Sequence, residues 1–319
     1  LLASPPKLLA VDVETVSLTN KDLVGIGLAT AEGHSFFVPM LDPSLMRVLL
    51  MLGSAKVTKV FHNAPFDLAW EVLGQYQVDI TNIADTIIIT RLLPELGNTL
   101  ELASFHLATQ AQNMGNVLLQ YNAKTTLELP LDVLAKKCCT DTKATMELYL
   151  KYKSRVSQEY YNEEIEFLKK LLLMSYKGMR LDPVRVSAID RELEAKLAVY
   201  LGTARAEGFN PLSPVQTAVI LGSRGPYLPA KRKTHKPQTG EEYLENIDDP
   251  LAQLTILARK YSKLHSRTHV WLNKSRSFAH YRTGAVTGRT TCDHENHQNL
   301  PTGGRFGDII PKAGLVRSV

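Results

Sequence analysis

The chain has 319 residues and a formal net charge of +5, and its length predicts about two domains, each with a core of its own. No run approaches the roughly 18 apolar residues that a membrane-spanning helix needs, which excludes that class of protein. The charge is uneven, because Leu251 to Cys292 contains eight Lys or Arg and no Asp or Glu. This asymmetry predicts a polyanionic partner for the second half of the chain.

The start of the chain, Leu1-Leu2-Ala3-Ser4, lacks both a Met and the basic-then-apolar pattern of a signal peptide, so we expect a fragment boundary here. The cysteines Cys138, Cys139 and Cys292 do not have the spacing of a metal site. The adjacent pair is typical of reduced thiols in a helix, which favours an intracellular protein.

Residues 8–14 predict the first strand, an apolar run interrupted by Asp12 and Glu14. Because side chains alternate along a strand, these two acids share one face. Adjacent carboxylates repel each other unless a cation lies between them, and hard divalent cations prefer carboxylate oxygens. The alternative is a half-exposed edge strand that carries two solvated acids.

Strand and helix patterns then alternate through the first half of the chain. Strands at 24–29 and 35–38, with a turn at Glu32-Gly33, predict an antiparallel meander, and a short helix follows at 45–52. The later predicted elements are strands at 56–61, 78–80 and 83–86, a helix that starts near Pro65 with Leu68, Val72 and Leu73 on its core face, and a helix at 87–93. This alternation predicts an α/β domain.

Three polar residues follow these strands. Asp67 lies in the first turn of the helix that starts near Pro65, where an acid also complements the helix dipole. Asn63 is explained equally well as a turn residue, and Asp85 as a helix N-cap.

The helix predicted at 131–151 carries another acid. Asp141 shares a helical face with Leu134, Cys138 and Leu148, which should all face the core. A buried carboxylate without a partner costs several kcal/mol, so a metal or another cation should lie nearby. The alternative is an ion pair with Lys137, four residues earlier.

Four acids, Asp12, Glu14, Asp67 and Asp141, are therefore candidate metal ligands and catalytic residues. The first three lie near strand ends, where α/β folds place their sites. Together they could hold two divalent ions roughly 4 Å apart, the arrangement that activates a water and stabilises a leaving oxygen in phosphodiester cleavage.

The Asp12-x-Glu14 strand, the Asn63-x-x-x-Asp67 turn and the Asp141 helix together resemble the DEDD-type 3′–5′ exonucleases, in the version found as the proofreading domain of family A (DNA polymerase I-like) DNA polymerases. The resemblance implies that the four acids bind two Mg²⁺ or Mn²⁺ ions and that Asn63 lies near the substrate. It also implies a supporting role for Asp85.

The sequence departs from this family at one place. The subclass carries a Tyr four residues before the last Asp, and its sister subclass carries a His five residues before it. Lys137 and Lys136 stand at those positions here. Neither is a general base at neutral pH without a strongly lowered pKa, although Lys137 stays a candidate substrate-binding residue. The departure leaves a second hypothesis open, a weak or inactive nuclease fold that serves as a DNA-binding module.

The second half is predicted to be helical. Helices at 163–177, 184–206 and 250–274 are separated by a turn at 209–214, in which Ser213 caps a short helix, and by a basic loop at 224–240. The two long helices with a basic loop between them resemble the thumb that grips duplex DNA in family A polymerases. The candidate DNA-binding residues of this half are Lys231, Arg232, Lys233, Lys260, Lys263, Arg267, Arg282, Arg289 and Asn299.

The segment from Thr283 to Arg289, followed by Asn299-Leu300-Pro301, resembles the conserved entry to the palm in its phage-type form. The resemblance implies that Arg289 reaches the minor groove of primer–template DNA near the 3′ end. The chain stops at Val319, before the palm acids of the family, so we expect either a truncated fragment or one half of a split polymerase.

The resemblance implies a fold and a function for the whole chain. The fold is α/β, with a ribonuclease H-like DEDD exonuclease domain and mixed sheet at 1–155, a mainly α-helical thumb at 156–280 and the start of a palm at 281–319. The function is proofreading 3′–5′ hydrolysis of DNA with two divalent metal ions (Mg²⁺ or Mn²⁺). The expected partners are a single-stranded 3′ end, duplex DNA and, for a split enzyme, a palm-and-fingers chain. The expected location is a bacterial or phage-infected cytoplasm, the nucleoid or an organelle.

Overall fold

The computed structural model of the chain describes residues 4–225, 237–283 and 289–299. The described residues form two compact units. One contains the residues up to Gly178 together with those within 278–298, and the other contains those within 179–277. The domain boundaries predicted after residues 155 and 280 stay predictions. Among the helices described, none combines the length and the apolar character that a bilayer crossing requires.

A five-stranded mixed sheet forms the centre of the first unit, in the order β3-β2-β1-β4-β5. β1 pairs antiparallel with β2 and parallel with β4, and β2–β3 and β4–β5 complete the antiparallel and parallel sides. This arrangement confirms the predicted α/β class with a mixed sheet. The strands are β1 (Leu8–Thr15), β2 (Leu23–Thr30), β3 (Ser35–Pro39), β4 (Thr58–Phe61) and β5 (Ile83–Asp85).

Helices surround this sheet, and the longest of them, α6, packs on β1, β2 and β3. The helices of the first unit are α1 (Leu45–Leu52), α2 (Ala64–Asp67), α3 (Thr86–Leu92), α4 (Leu100–Ser104), α5 (Met114–Gln120), α6 (Leu131–Tyr152) and α7 (Gln158–Lys177). The close approach of α6 depends on Gly27, since a Cβ there would lie 2.5 Å from the Cys138 sulfur. A glycine in the strand thus sets how near the helix can come to the sheet.

Two local predictions in this unit are wrong. Residues 78–80 do not form a strand, because Asp79 turns to accept hydrogen bonds from Thr81 and to pair with the buried Lys59 ammonium at 2.8 Å. The helix near Pro65 ends at Asp67 after one turn. Its predicted core residues are nevertheless fully buried, as turns after α2 carry Leu68, Val72 and Leu73 into the core.

The second unit is mainly helical, as predicted. Its elements are β6 (Met179–Arg180), α8 (Pro183–Ala206), α9 (Pro214–Ser223), α10 (Glu241–Leu244), α11 (Pro250–His269) and β7 (Arg276–Ser277). Asp182 and Asp249 cap α8 and α11 just before a proline at the first helical position. Ser213 caps α9 as predicted, by accepting a hydrogen bond from the Gln216 amide.

The long helices α8 and α11 run antiparallel. The start of α8, at Val186 and Leu193, shares a buried apolar cluster with Trp271 beyond the end of α11. The end of α8, at Ala204, clusters instead with Leu251 at the start of α11. In the first unit, β8 (Ala279–Arg282) and β9 (Thr291–His294) form a separate antiparallel pair.

Candidate functional site

Strand β1 positions the first two predicted acids. Asp12 lies opposite Gly27 of β2, and Glu14 lies opposite Gly25. Gly27 leaves room for α6, whose Cys138 thiol donates to Asp12 Oδ2 at 3.5 Å. Glu14 is buried in the same region, and burial raises its pKa above the ordinary value.

The other two acids reach the same place from distant segments. Asp67, at the end of α2, accepts a hydrogen bond on Oδ1 from the Val13 amide at 3.1 Å, so it is tied to the backbone between Asp12 and Glu14. Asp141 comes from the buried face of α6. The structure therefore brings together the four carboxylates that the sequence singled out.

Lys137 lies inside this carboxylate cluster. Its ammonium is 3.0 Å from Glu14 Oε1 and 2.9 Å from Asp141 Oδ2, and the Lys137 side chain is only 12% exposed. Burial lowers the pKa of Lys137, but the charges of Glu14, Asp141 and Asp12 outweigh it and hold the pKa above the ordinary value. The ammonium therefore stays charged and occupies a cation position between two acids.

One ammonium does not neutralise four acids. Burial raises the pKa of Asp12 to about 6 and that of Asp141 to about 6, although Lys137 lowers both. The pKa of Asp67 rises well above its ordinary value through burial and the nearby charge of Asp12. Asp141 Oδ1 is also buried without a hydrogen-bond partner. Lys137 thus compensates only part of the negative charge of the four acids, and a further cation would stabilise the cluster.

Asp85 supports a strained turn beside the acids. Asn63 has a left-handed backbone with φ of 77°, which is uncommon for a residue other than glycine. The Asp85 carboxylate accepts hydrogen bonds from the Asn63 amide at 2.9 Å and the Ala64 amide at 2.8 Å. It also caps α3 through the Ile87 amide, as predicted. Burial raises the pKa of Asp85 and the amide donors lower it, but burial is the larger effect and the resulting pKa is about 6.

Sequence reasoning missed two parts of this site. The contacts between Asp85 and the Asn63 turn join residues 22 positions apart, and no local sequence pattern predicts them. Cys138 was placed on the core face of α6 but given no role, whereas its sulfur and oxygens of Asp12 and Glu14 lie within 4.8 Å of one another. The one signal for Cys138 was its position one turn before Asp141.

The predicted DNA-binding residues divide into three groups. Lys260 and Lys263 are exposed on α11, and Arg267 is half-buried one turn further on the same face. Arg282 pairs with Asp293 at 2.8 Å, and Arg289 is exposed. Lys231, Arg232 and Lys233 lie outside the described residues, and the side chain of Asn299 is not among those described.

Comparisons with known proteins relate the chain to exonucleases and DNA polymerases. A family model described as 3′–5′ exonuclease matches residues 1–157. DNA polymerase I of Chloroflexus aurantiacus is 24% identical over 350 aligned positions, which cover 95% of this chain and 36% of that protein. The chain thus spans little more than a third of that relative's length.

A solved structure shows a related fold. The POL domain of Pol1 from M. smegmatis, in complex with DNA primer–template and dNTP, superposes with a TM-score of 0.61 at 15% identity. The match covers 95% of this chain and 53% of that chain. At this level of identity the match shows a likeness of fold.

Proposed function

We propose, from the membership of residues 1–157 in the 3′–5′ exonuclease family and the homology of the chain with DNA polymerase I, that this protein removes nucleotides from the 3′ ends of DNA by divalent-metal-dependent hydrolysis. The observation that carries the proposal is the convergence of four buried carboxylates from β1, α2 and α6. Such a cluster is costly to bury unless cations compensate it.

The residues present fit a divalent cation. The donors are hard carboxylate oxygens, which Mg²⁺ and Mn²⁺ prefer. One of these oxygens, Asp141 Oδ1, has no hydrogen-bond partner, and burial raises the pKa of Asp12 and of Asp141 in spite of Lys137. Asp12, Glu14, Asp67 and Asp141 would hold the metal. When bound, the metal supplies an activated water and stabilises the leaving 3′ oxygen. Lys137 would compete with such a cation, because its ammonium contacts both Glu14 and Asp141.

The remaining residues would bind and orient the DNA. Asn63, four residues before Asp67, lies in a left-handed turn whose backbone amide is held by Asp85, and its side chain would contact a 3′-terminal nucleotide. The exposed Lys260 and Lys263 on α11, with Arg267 on the same face, would contact phosphates of duplex DNA. Phosphate contacts position the nucleic acid without reading its sequence.

The test is an exonuclease assay on single-stranded DNA labelled at its 5′ end, with Mg²⁺ or Mn²⁺ and with EDTA. We expect metal-dependent shortening from the 3′ end and release of nucleoside 5′-monophosphates. Asp12→Asn and Asp141→Asn should each reduce the rate at least 100-fold, since each removes a charged ligand. Glu194→Gln, which removes an exposed acid of α8, is the matched control and should leave the rate unchanged. Equal rates in the wild type and in Asp12→Asn would show that the site is elsewhere.

A second candidate function is favoured by Lys137, whose ammonium already lies between two of the acids. In this alternative the first unit is an inactive nuclease fold and the chain serves as a DNA-binding module. It predicts salt-sensitive binding of duplex DNA without metal-dependent release of nucleotides. The two candidates are separated by running the nuclease assay and a duplex-binding titration on the same preparation.

A further inference from the structure

The second unit contains a cluster of metal-ligating side chains that the nuclease site does not use. Asp190 lies in the first half of α8, and His265 and His269 lie one turn apart near the end of α11. One ligand atom from each of the three residues lies within 4.8 Å of the others. His265 Nε2 is 3.6 Å from Asp190 Oδ1, and His269 Nδ1 is 3.4 Å from Asp190 Oδ2.

Hydrogen bonding explains only part of this cluster. Asp190 has a buried side chain, 5% exposed, and its Oδ1 accepts a hydrogen bond from the Thr268 hydroxyl at 2.6 Å. His269 approaches the other carboxylate oxygen. His265 Nε2 is buried without a hydrogen-bond partner although it faces this carboxylate. A buried ring nitrogen left in this way costs free energy, and a cation bound between the three groups would use its lone pair.

The spacing is compatible with a bound ion. Two ligands bound at about 2.0 Å to one tetrahedral ion lie roughly 3.3 Å apart, and each ring nitrogen lies near this separation from one of the two Asp190 oxygens. Histidines at i and i+4 present their rings on the same side of a helix. The Thr268 hydroxyl would orient the ligating carboxylate, as groups hydrogen-bonded to metal ligands commonly do.

We propose that Asp190, His265 and His269 form a binding site for Zn²⁺ or a similar borderline transition-metal ion that ties α8 to α11. Two imidazoles and one carboxylate favour Zn²⁺ over the hard ions Mg²⁺ and Ca²⁺. Three protein ligands leave the fourth position for water. Lys260 and Lys263 lie on a different face of α11, so bound metal stiffens the helix that carries them without covering them.

The test is titration of the full chain with Zn²⁺ alone, by calorimetry after removal of metals with EDTA and desalting. We expect a site of micromolar or tighter Kd that weakens at least tenfold in His269→Ala and in His265→Ala. Co²⁺ in place of Zn²⁺ should give visible absorption bands of a tetrahedral site, and these bands should disappear in the same variants.

Two controls separate this site from other sources of binding. His34→Ala removes an exposed histidine of the first unit and should leave Zn²⁺ binding unchanged. Asp12→Asn removes a carboxylate of the nuclease site, where Zn²⁺ could also bind, and should leave intact the part of the binding that depends on His269, so failure of the nuclease proposal would not affect it. Because His269 is exposed, His269→Ala should fold even if His265→Ala does not. Absence of binding, equal binding in wild type and His269→Ala, or loss only in Asp12→Asn would overturn the proposal.

Discussion

Lys137 lies among the acids of the proposed nuclease site. Its ammonium lies 2.9 Å from Asp141 and 3.0 Å from Glu14, which are two of the proposed metal ligands. A charge at this position attracts the same oxygens that a divalent cation needs. It also stabilises the fold, because the buried acids would otherwise face one another without compensation. Lys137 therefore compensates the buried acids when no metal is bound and would compete with a divalent cation for the same oxygens.

Replacement of this lysine should separate the two effects. We expect Lys137→Met to lower the melting temperature in the absence of metal, because the buried acids lose their cation. The same variant should bind Mn²⁺ about tenfold more tightly, a gain of about 1.4 kcal/mol. Titration of Mn²⁺ followed by electron paramagnetic resonance measures the affinity. Lys136→Met removes the same charge from an exposed neighbour and is the matched control. Equal Mn²⁺ affinity in both variants would contradict competition by Lys137.

Gly27 of β2 limits the distance between α6 and the sheet. Because α6 carries Asp141 and β1 carries Asp12, this distance also affects the separation of the two acids. A Cβ at Gly27 would lie 2.5 Å from Cys138 Sγ and 3.2 Å from the Cys138 carbonyl oxygen, so the helix would have to move outward. The acids of β1 and α6 would then separate. Gly27 thus links the packing of a helix to the geometry of the site.

Gly27→Ala should therefore weaken both the fold and the site. We expect a loss of stability of about 1–3 kcal/mol from overpacking, together with weaker Mn²⁺ binding and slower nucleotide release. Gly202→Ala in α8 is the control, since a Cβ there has no neighbour within 4 Å and alanine favours a helix. Thermal unfolding and the exonuclease assay measure the two effects. Unchanged nucleotide release in Gly27→Ala would show that the spacing of α6 is not critical.

Strand β8 is held in the first unit by a charged contact. His280 Nε2 lies 2.9 Å from Glu71 Oε2, and His280 Nδ1 lies 2.9 Å from the Lys21 ammonium. Burial raises the pKa of Glu71, but the hydrogen bond with His280 and neighbouring positive charge have a larger, opposite effect. The resulting pKa is about 2. Glu71 is therefore a stronger acid in the folded protein than in the unfolded chain.

This shift predicts a pH-dependent contribution to stability. Because the folded pKa of about 2 lies below the ordinary value of 4.5, the stabilisation is complete above pH 4.5 and disappears as the pH falls towards 2. We expect Glu71→Gln to lower the free energy of unfolding by about 1 kcal/mol at pH 7, after allowance for solvent screening, and by almost nothing near pH 2. Denaturant unfolding at several pH values measures this difference. A gap between wild type and Glu71→Gln that does not shrink in acid would contradict it.

The distribution of charge over the whole chain favours binding of nucleic acid by the second half. The acid-free segment from Leu251 to Cys292 includes α11, where Lys260, Lys263 and Arg267 share one face. Contacts with phosphates release counterions, so their number appears in the salt dependence of binding. The whole-molecule property to measure is therefore a slope against salt concentration.

Removal of two of these lysines should change that slope. We expect Lys260→Ala/Lys263→Ala to bind duplex DNA more weakly at every sequence, with a slope of log K against log salt reduced by about 2. Lys56→Ala/Lys124→Ala removes two exposed lysines of the first unit and is the control with the same net charge. Fluorescence anisotropy at several salt concentrations gives both slopes. An unchanged slope in the first variant would place the DNA on another surface.

Much of the first unit was predictable, because its elements have strong local patterns. The helix at 45–52 was predicted at its observed bounds, and strand 8–14 differs from β1 by one residue. The acids Asp12 and Glu14 stood out because alternation along a strand places both on one face, where they repel each other unless a cation lies between them. The prediction of a strand at 78–80 was wrong, since the contact between Asp79 and Lys59 across 20 residues outweighs the local strand propensity.

The amino-acid pattern alone was sufficient to identify the α/β class, the four acids and the basic helix, because alternation and helical spacing are properties of neighbouring residues. Folding decided which cation lies among those acids, since Lys137 meets Glu14 across 123 positions. It also decided that Asp190 meets His269 across 79 positions. Contacts of this kind depend on how helices and strands pack, and packing brings together residues whose separation along the chain carries no local signal.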